Sequence, residues 1–161
     1  MDSPLDKFYL KAKSLNLKLP EIILSKVAFS VLSALEYLKR KNIMHRDVKP
    51  SNILINRDCT IKLCDFGISG TMNNSRCQTR ERGCRPYMAP EKIDPNSTGG
   101  YSVKSDIWSL GITLIEIATT RHPYIECGDY FSQIKAILNG PVPKLPNEEF
   151  SPEFCLFVEK W

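Results

Sequence analysis

His45-Arg46-Asp47-Val48-Lys49-Pro50-Ser51-Asn52 is the stretch that decides the reading of this chain, and eighteen residues after Asp47 comes Asp65-Phe66-Gly67. Transfer of a phosphoryl group to a hydroxyl needs a base near the acceptor, a cation facing the γ-phosphate and hard oxygen ligands for magnesium. Asp47 can orient the acceptor hydroxyl and take its proton, and Lys49 can neutralise charge on the group in transit. Asn52 and Asp65 supply oxygen donors of the kind that hold magnesium beside ATP. Working outward, Ile53-Leu54-Ile55 and Ile61-Lys62-Leu63-Cys64 are short apolar runs separated by the polar Asn56-Arg57-Asp58. That pattern predicts a β-hairpin. It puts Asn52 just before one strand and Asp65 just after the other, so both metal-binding oxygens can face one point. A chance charged loop beside a common Asp-Phe-Gly turn does not account for the spacing.

The chain has 161 residues, 42% hydrophobic and 25% charged, which fits one globular domain with a real core. A net charge of +4 gives little ground for a nucleic-acid partner. Clusters such as Lys39-Arg40-Lys41 read instead as cations at a helix C-terminus. The six cysteines contain no C-x-x-C pair and only two histidines stand beside them, so a zinc site is not expected. No secretory pattern opens the chain, and reduced thiols in a cytoplasmic, or also nuclear, protein are the expectation. The most apolar segment, Ile107 to Ala118, is broken by Ser109, Thr113 and Glu116 and is too short to span a bilayer, so no membrane partner is expected.

Helical patterns dominate the rest. Ser3-Pro4-Leu5-Asp6 reads as a helix start, with Ser3 as N-cap and Pro4 at the first helical position. A second start at Pro20-Glu21 leads into Leu24, Ala28, Val31, Leu35 and Leu38 at helical spacing, up to about Arg40. Thr71 to Arg82 is polar and without period, a surface loop. Tyr101 to Ala118 is apolar nearly all round, as buried helices are. Further helices are expected over Phe131 to Leu138 and from Pro152 to Trp161, with an extended linker around Pro141-Val142-Pro143. The predicted fold class is mainly α with a small β-hairpin.

The His45–Asn52 and Asp65–Gly67 motifs resemble the catalytic-loop and magnesium signatures of protein kinases, with Val48 where Leu is usual. Gly83-Cys84-Arg85-Pro86-Tyr87-Met88-Ala89-Pro90-Glu91, Ile68-Ser69-Gly70, Tyr101 to Gly111 and the opening Met1 to Tyr9 are similar to the dual-specificity MAP kinase kinases, most of all their stress-activated branch. The resemblance runs over essentially the whole chain. It implies the C-terminal lobe of an incomplete kinase fold. The Gly-rich loop, strand Lys and helix Glu of the family lie upstream of the catalytic loop, and no Gly occurs here before Gly67. Residues 1–161 are thus expected to form a partial kinase domain without its N-terminal lobe, inactive by itself.

By resemblance, the full enzyme would move the γ-phosphate of ATP to Thr and Tyr of a MAP kinase, using magnesium. Its catalytic residues would be Asp47, Lys49 and Arg46, its metal ligands Asn52 and Asp65, and Leu54 would pack beneath the adenine. Leu54 reads equally well as a hairpin core residue. Ser75 and Thr79 occupy the two phosphorylated positions of the activation loop, where an upstream MAP kinase kinase kinase would act and Arg46 would pair with phosphate. Asn73-Asn74 stands where the family often has an acidic residue. Glu91 would pair with an arginine beyond Trp161, and without it the loop's C-terminal anchor should loosen. Cys64 reads as a small buried hydrophobe before a reactive thiol. The non-catalytic alternative is a kinase lobe that serves as a binding or competing module.

Overall fold

Two long helices, packed against each other, carry most of the core. The computed structural model describes residues 3–65, 70–71, 85–94 and 102–160. Strand β1 (Ser3–Pro4) runs directly into helix α1 (Leu5–Ser14), and α2 (Glu21–Arg40) follows. Next come β2 (Ile43–Met44), a 3₁₀ turn at Pro50–Asn52, β3 (Ile53–Ile55), β4 (Ile61–Leu63) and β5 (Gly70–Thr71). The later part holds a 3₁₀ turn at Arg85–Tyr87, then α3 (Pro90–Ile93), α4 (Val103–Thr119), α5 (Tyr130–Asn139) and α6 (Pro152–Glu159).

Helix α2 begins after Pro20, which cannot donate a backbone hydrogen bond, and ends in basic Lys39 and Arg40 before Asn42 turns left-handed. Its stripe of Leu24, Ala28, Val31, Leu35 and Leu38 is buried as its spacing predicts, and Val27 is buried beside it. These side chains meet Leu110, Leu114 and Ile117 of α4 and Ile53 and Ile55 of β3 in one continuous core. Each large aliphatic side chain so buried contributes about 1.5–3 kcal/mol of transfer free energy. Helix α4 is buried along nearly its whole length. Its hydroxyls find carbonyl acceptors: Thr113 Oγ1 donates to Ser109 O at 2.8 Å, and the single Ser109 Oγ proton is shared between Tyr87 O at 2.7 Å and Ser105 O at 3.0 Å. Its other side meets Tyr124 and Ile137 in a smaller cluster that includes Tyr87 and Trp108.

The hairpin forms as predicted, with Ile53 opposite Leu63 and Ile55 opposite Ile61. The sheet has one strand more than the pattern indicated. Ser3 pairs with Ile55 and Pro4 with Leu54, antiparallel, giving the order β1-β3-β4. Ser3 therefore does not cap α1. Its Oγ donates to Pro4 O, and the helix starts one residue later, at Leu5. The reason is competition: extended pairing with an open hairpin edge satisfies the backbone better than a lone cap. A second small sheet pairs Ile43 with Thr71 and Met44 with Gly70.

Candidate active site

The His45–Asn52 loop sits on α4. The Asp106 carboxylate, in that helix's first turn, accepts the His45 backbone N–H on Oδ2 at 2.9 Å and the Arg46 N–H on Oδ1 at 2.8 Å. Asp106 is almost fully buried, and burial raises its carboxyl above the usual range; the two N–H donors and the neighbouring His45 and Arg46 pull it back down. Held this way, Arg46 adopts a left-handed backbone with φ 69°. Such a conformation is costly for a non-glycine residue and persists only where its surroundings impose it.

His45 is completely buried. Burial lowers its pKa, against the pull of Asp106, the Cys64 carbonyl, Asp47 and Asp65, so the ring is neutral. The Asp47 N–H donates to Nδ1 at 3.3 Å, and Nε2 lies 3.0 Å from Cys64 O. Those partners assign the ring proton to Nε2, which donates to the carbonyl. The imidazole thus bridges the catalytic loop and the strand that leads to Asp65.

Asp47 is buried. Asn52 Nδ2 donates to its Oδ2 at 2.7 Å and to its backbone O at 2.8 Å, and Lys49 Nζ pairs with the same Oδ2 at 2.8 Å. The 3₁₀ turn at Pro50–Asn52 swings Asn52 back over Asp47. With both Nδ2 hydrogens engaged, the amide turns its Oδ1 away from Asp47. The hairpin then brings in Asp65: Cys64 N donates to Asn52 O at 2.8 Å, one step beyond the Ile53–Leu63 pair. Asp65 follows at once, exposed and left-handed at φ 65°. Asn52 Oδ1 and the Asp65 carboxylate are hard oxygen donors at the same end of the hairpin. They fit magnesium by chemistry.

Arg46, Asp47, Lys49, Asn52 and Asp65 therefore gather at one end of the hairpin. Leu54 lies apart, half-buried on the sheet face shared with exposed Lys62, whereas Ile53 and Ile55 face the core. Its reading as a hairpin core residue is thereby overturned, because the strand's alternation turns it away. The Cys64 thiol donates to Asn52 O at 3.2 Å, and burial followed by the Asp65 charge raises its pKa, which keeps it a thiol. Ser75 and Thr79 lie outside the described residues.

Residues 5–160 match the protein kinase domain family. The chain belongs to that family. Over 99% of its length this kinase chain is 48% identical to the dual specificity mitogen-activated protein kinase kinase sek-1 of Caenorhabditis elegans, covering 48% of that protein. It is also 46% identical over 99% of its length to the dual specificity mitogen-activated protein kinase kinase mek-1 of the same organism, covering 45% of it. With the dual specificity mitogen-activated protein kinase kinase hemipterous of Drosophila melanogaster it shares 51% identity over 88% of its length and 12% of that protein. The chain spans about half the length of the first two relatives.

Asp106 escaped the sequence reading as a functional residue, although it anchors the kinase catalytic loop. Its signal was an acidic side chain at the head of an apolar helix, which calls for a partner when buried. Among the described residues Glu91 is held by Ser105 Oγ of α4, which donates to its Oε1 at 2.7 Å. Tyr87 and Tyr9 were likewise passed over. Both phenols donate to the buried Glu116 of α4, each at 2.6 Å.

Proposed function

We propose that this chain is part of a MAP kinase kinase of the stress-activated type, which moves the γ-phosphate of ATP to Thr and Tyr of a MAP kinase. The observation that carries the reading is the Asp47 carboxylate, held by Asn52 and Lys49 on a loop bolted to α4. A base for an acceptor hydroxyl works best when it is held in place before the acceptor arrives, and the grip of Asn52 and Lys49 on Asp47 supports that role. Lys49 sits beside it, where it can meet negative charge on the phosphoryl group. The overall similarity to MAP kinase kinases supports the acceptor class.

Within this reading Asn52 and Asp65 hold Mg2+, which offsets charge on the phosphates, and Leu54 contacts the adenine of ATP from its outward sheet face. Arg46 pairs with phosphate placed on Ser75 and Thr79 by an upstream MAP kinase kinase kinase. Turnover is expected of the full-length protein; the 161 residues alone contain no Gly-rich phosphate loop.

Asp47→Asn in the full-length protein tests the proposal. Loss of a general base commonly costs about 10²–10⁴-fold in rate, while ATP binding, which rests on metal and phosphate contacts, stays near that of the parent. Turnover within about threefold of the parent would falsify the assignment.

A further inference from the structure

Two consecutive residues in the first turn of α4 hold two different segments of the chain. Ser105 Oγ donates to Glu91 Oε1 at 2.7 Å, and its neighbour Asp106 grips the His45 and Arg46 N–H groups. The residue after Glu91 is Lys92, on the short helix α3. The Lys92 N–H donates to the carbonyl of buried Ala89 at 2.9 Å, which fixes the backbone there. Arg46 and Lys92, far apart in sequence, are thereby brought to one place beside the head of α4.

The two cations feel each other. Lys92 is partly buried, and burial lowers its pKa; the Glu91 carboxylate raises it and the Arg46 charge lowers it again. Like charges held close in a folded chain cost free energy unless an anion lies with them. The carboxylates that share this corner are engaged elsewhere. Glu91 Oε1 accepts the Ser105 hydroxyl, and both Asp106 oxygens accept backbone N–H groups. A cation in the last turn of a helix often answers the helix dipole, but α3 has only four residues and little dipole to answer. A lysine kept only for solubility would stand in water, not beside a nearly buried arginine.

A phosphate monoester fits this pair by charge and by donor chemistry. It carries about −1.5 to −2 charge at neutral pH and has three acceptor oxygens. The planar fork of an arginine takes two of them, and an ammonium adds a compact charge with donors of its own. Bound between Arg46 and Lys92, the phosphate would tie the His45–Asn52 loop to α3, two segments that α4 already holds side by side. Asp47, the residue after Arg46, would then be fixed from a second direction.

We propose that Lys92 is the second cation, with Arg46, of a phosphate-binding site that receives the phosphorylated side chain of Ser75 or Thr79, so that phosphorylation joins α3 to the catalytic loop. The inference rests on the reading that Arg46 pairs with phosphate on those two residues, which lie outside the described part of the chain. Lys92 then sets how firmly the phosphorylated form is held. Lys49, paired with Asp47, takes no part.

The test compares the full-length protein, unphosphorylated and phosphorylated by a MAP kinase kinase kinase, as the parent and as Lys92→Met and Lys92→Arg. Two readouts need no turnover by the protein itself: the rise in Tm on phosphorylation, and the rate at which a phosphatase removes the phosphate. Lys92→Met keeps the apolar stem and removes the charge. It should lose about half or more of the Tm rise and shed phosphate about threefold to tenfold faster. Lys92→Arg restores the charge and should stay within about twofold of the parent in the phosphatase rate. If Lys92→Met does not fold, Lys92→Gln takes its place. Ser75→Ala and Thr79→Ala, made singly, show which phosphate Lys92 holds; a Lys92 effect that survives the double replacement overturns the site. Lys92→Met with the parent's Tm rise and the parent's phosphatase rate overturns the role of Lys92 alone. A phosphorylated parent with neither a Tm rise nor protection overturns the pairing of Arg46 with phosphate, and this inference with it. A parent that is protected yet transfers no phosphate to a MAP kinase overturns the kinase reading and leaves the phosphate site standing.

Discussion

Replacing Asp106 by Asn perturbs a single point that supports the whole catalytic loop. The native carboxylate accepts two buried backbone N–H groups, from His45 at 2.9 Å and Arg46 at 2.8 Å. Asparagine keeps one oxygen and turns an NH2 toward the other donor. One charge-assisted hydrogen bond is lost and a buried N–H is stranded, which costs about 1.5–3 kcal/mol. The neutral amide relieves the desolvation that raises the Asp106 carboxyl, so the net destabilisation should fall near ~2 kcal/mol. With a urea slope of about 1–3 kcal/mol per molar, the unfolding midpoint drops by roughly 1 M. The functional loss should be larger than the stability loss suggests. Arg46 holds φ 69° only while both N–H groups are gripped, and its relaxation re-aims Asp47 next door. Urea unfolding by circular dichroism and phosphotransfer by the full-length protein measure the two effects. An unchanged midpoint, or transfer within about threefold of the parent, refutes the idea that Asp106 sets the loop.

Other consequences follow from burial and capping. Leu114→Ala, at a fully buried position in the middle of α4, should cost about 2–5 kcal/mol by chemical denaturation. Ser151 Oγ accepts Phe154 N–H at the start of α6 and donates to Glu21 of α2, so Ser151→Ala should cost about 1 kcal/mol and speed amide exchange in α6 while α2 stays protected. Burial lowers the pKa of both His45 and His122, so the folded state favours neutral rings. Stability from these rings is complete above the unfolded value of about 6.5 and is lost as pH falls through the lower folded values. Urea midpoints measured from pH 8 downward should begin to fall near that point, and His122→Asn should reduce the fall; a flat profile contradicts the neutral assignment.

Much of the candidate site was legible in the order of residues. His45 to Asn52 is a contiguous run whose local turn brings Asn52 over Asp47, and the hairpin that delivers Asp65 announces itself by two apolar runs around a polar turn. The buried faces of α2 and α4 follow from their spacing, because helical period alone decides which side chains share a face. Misreadings arose where a partner lay far away. Ser3 looked like a cap because local signals favour one, yet it pairs with Ile55. Leu54, which reads equally well as core or as an adenine contact, is turned by the strand's alternation to the half-buried face.

The turn at Pro50–Asn52, the hairpin and the two long helices could be read from residue order, since each rests on interactions between residues close along the chain. Tertiary structure alone decided what α4 does. Asp106, Ser105, Ser109 and Glu116 are small or acidic interruptions in an apolar helix, and nothing near them in sequence names their partners. Those partners are His45 and Arg46 some sixty residues back, Glu91 and Tyr87 in the preceding segment, and Tyr9 at a separation of 107 residues. Burying a polar group demands a partner, and which group answers depends on what folding brings within 3 Å of it.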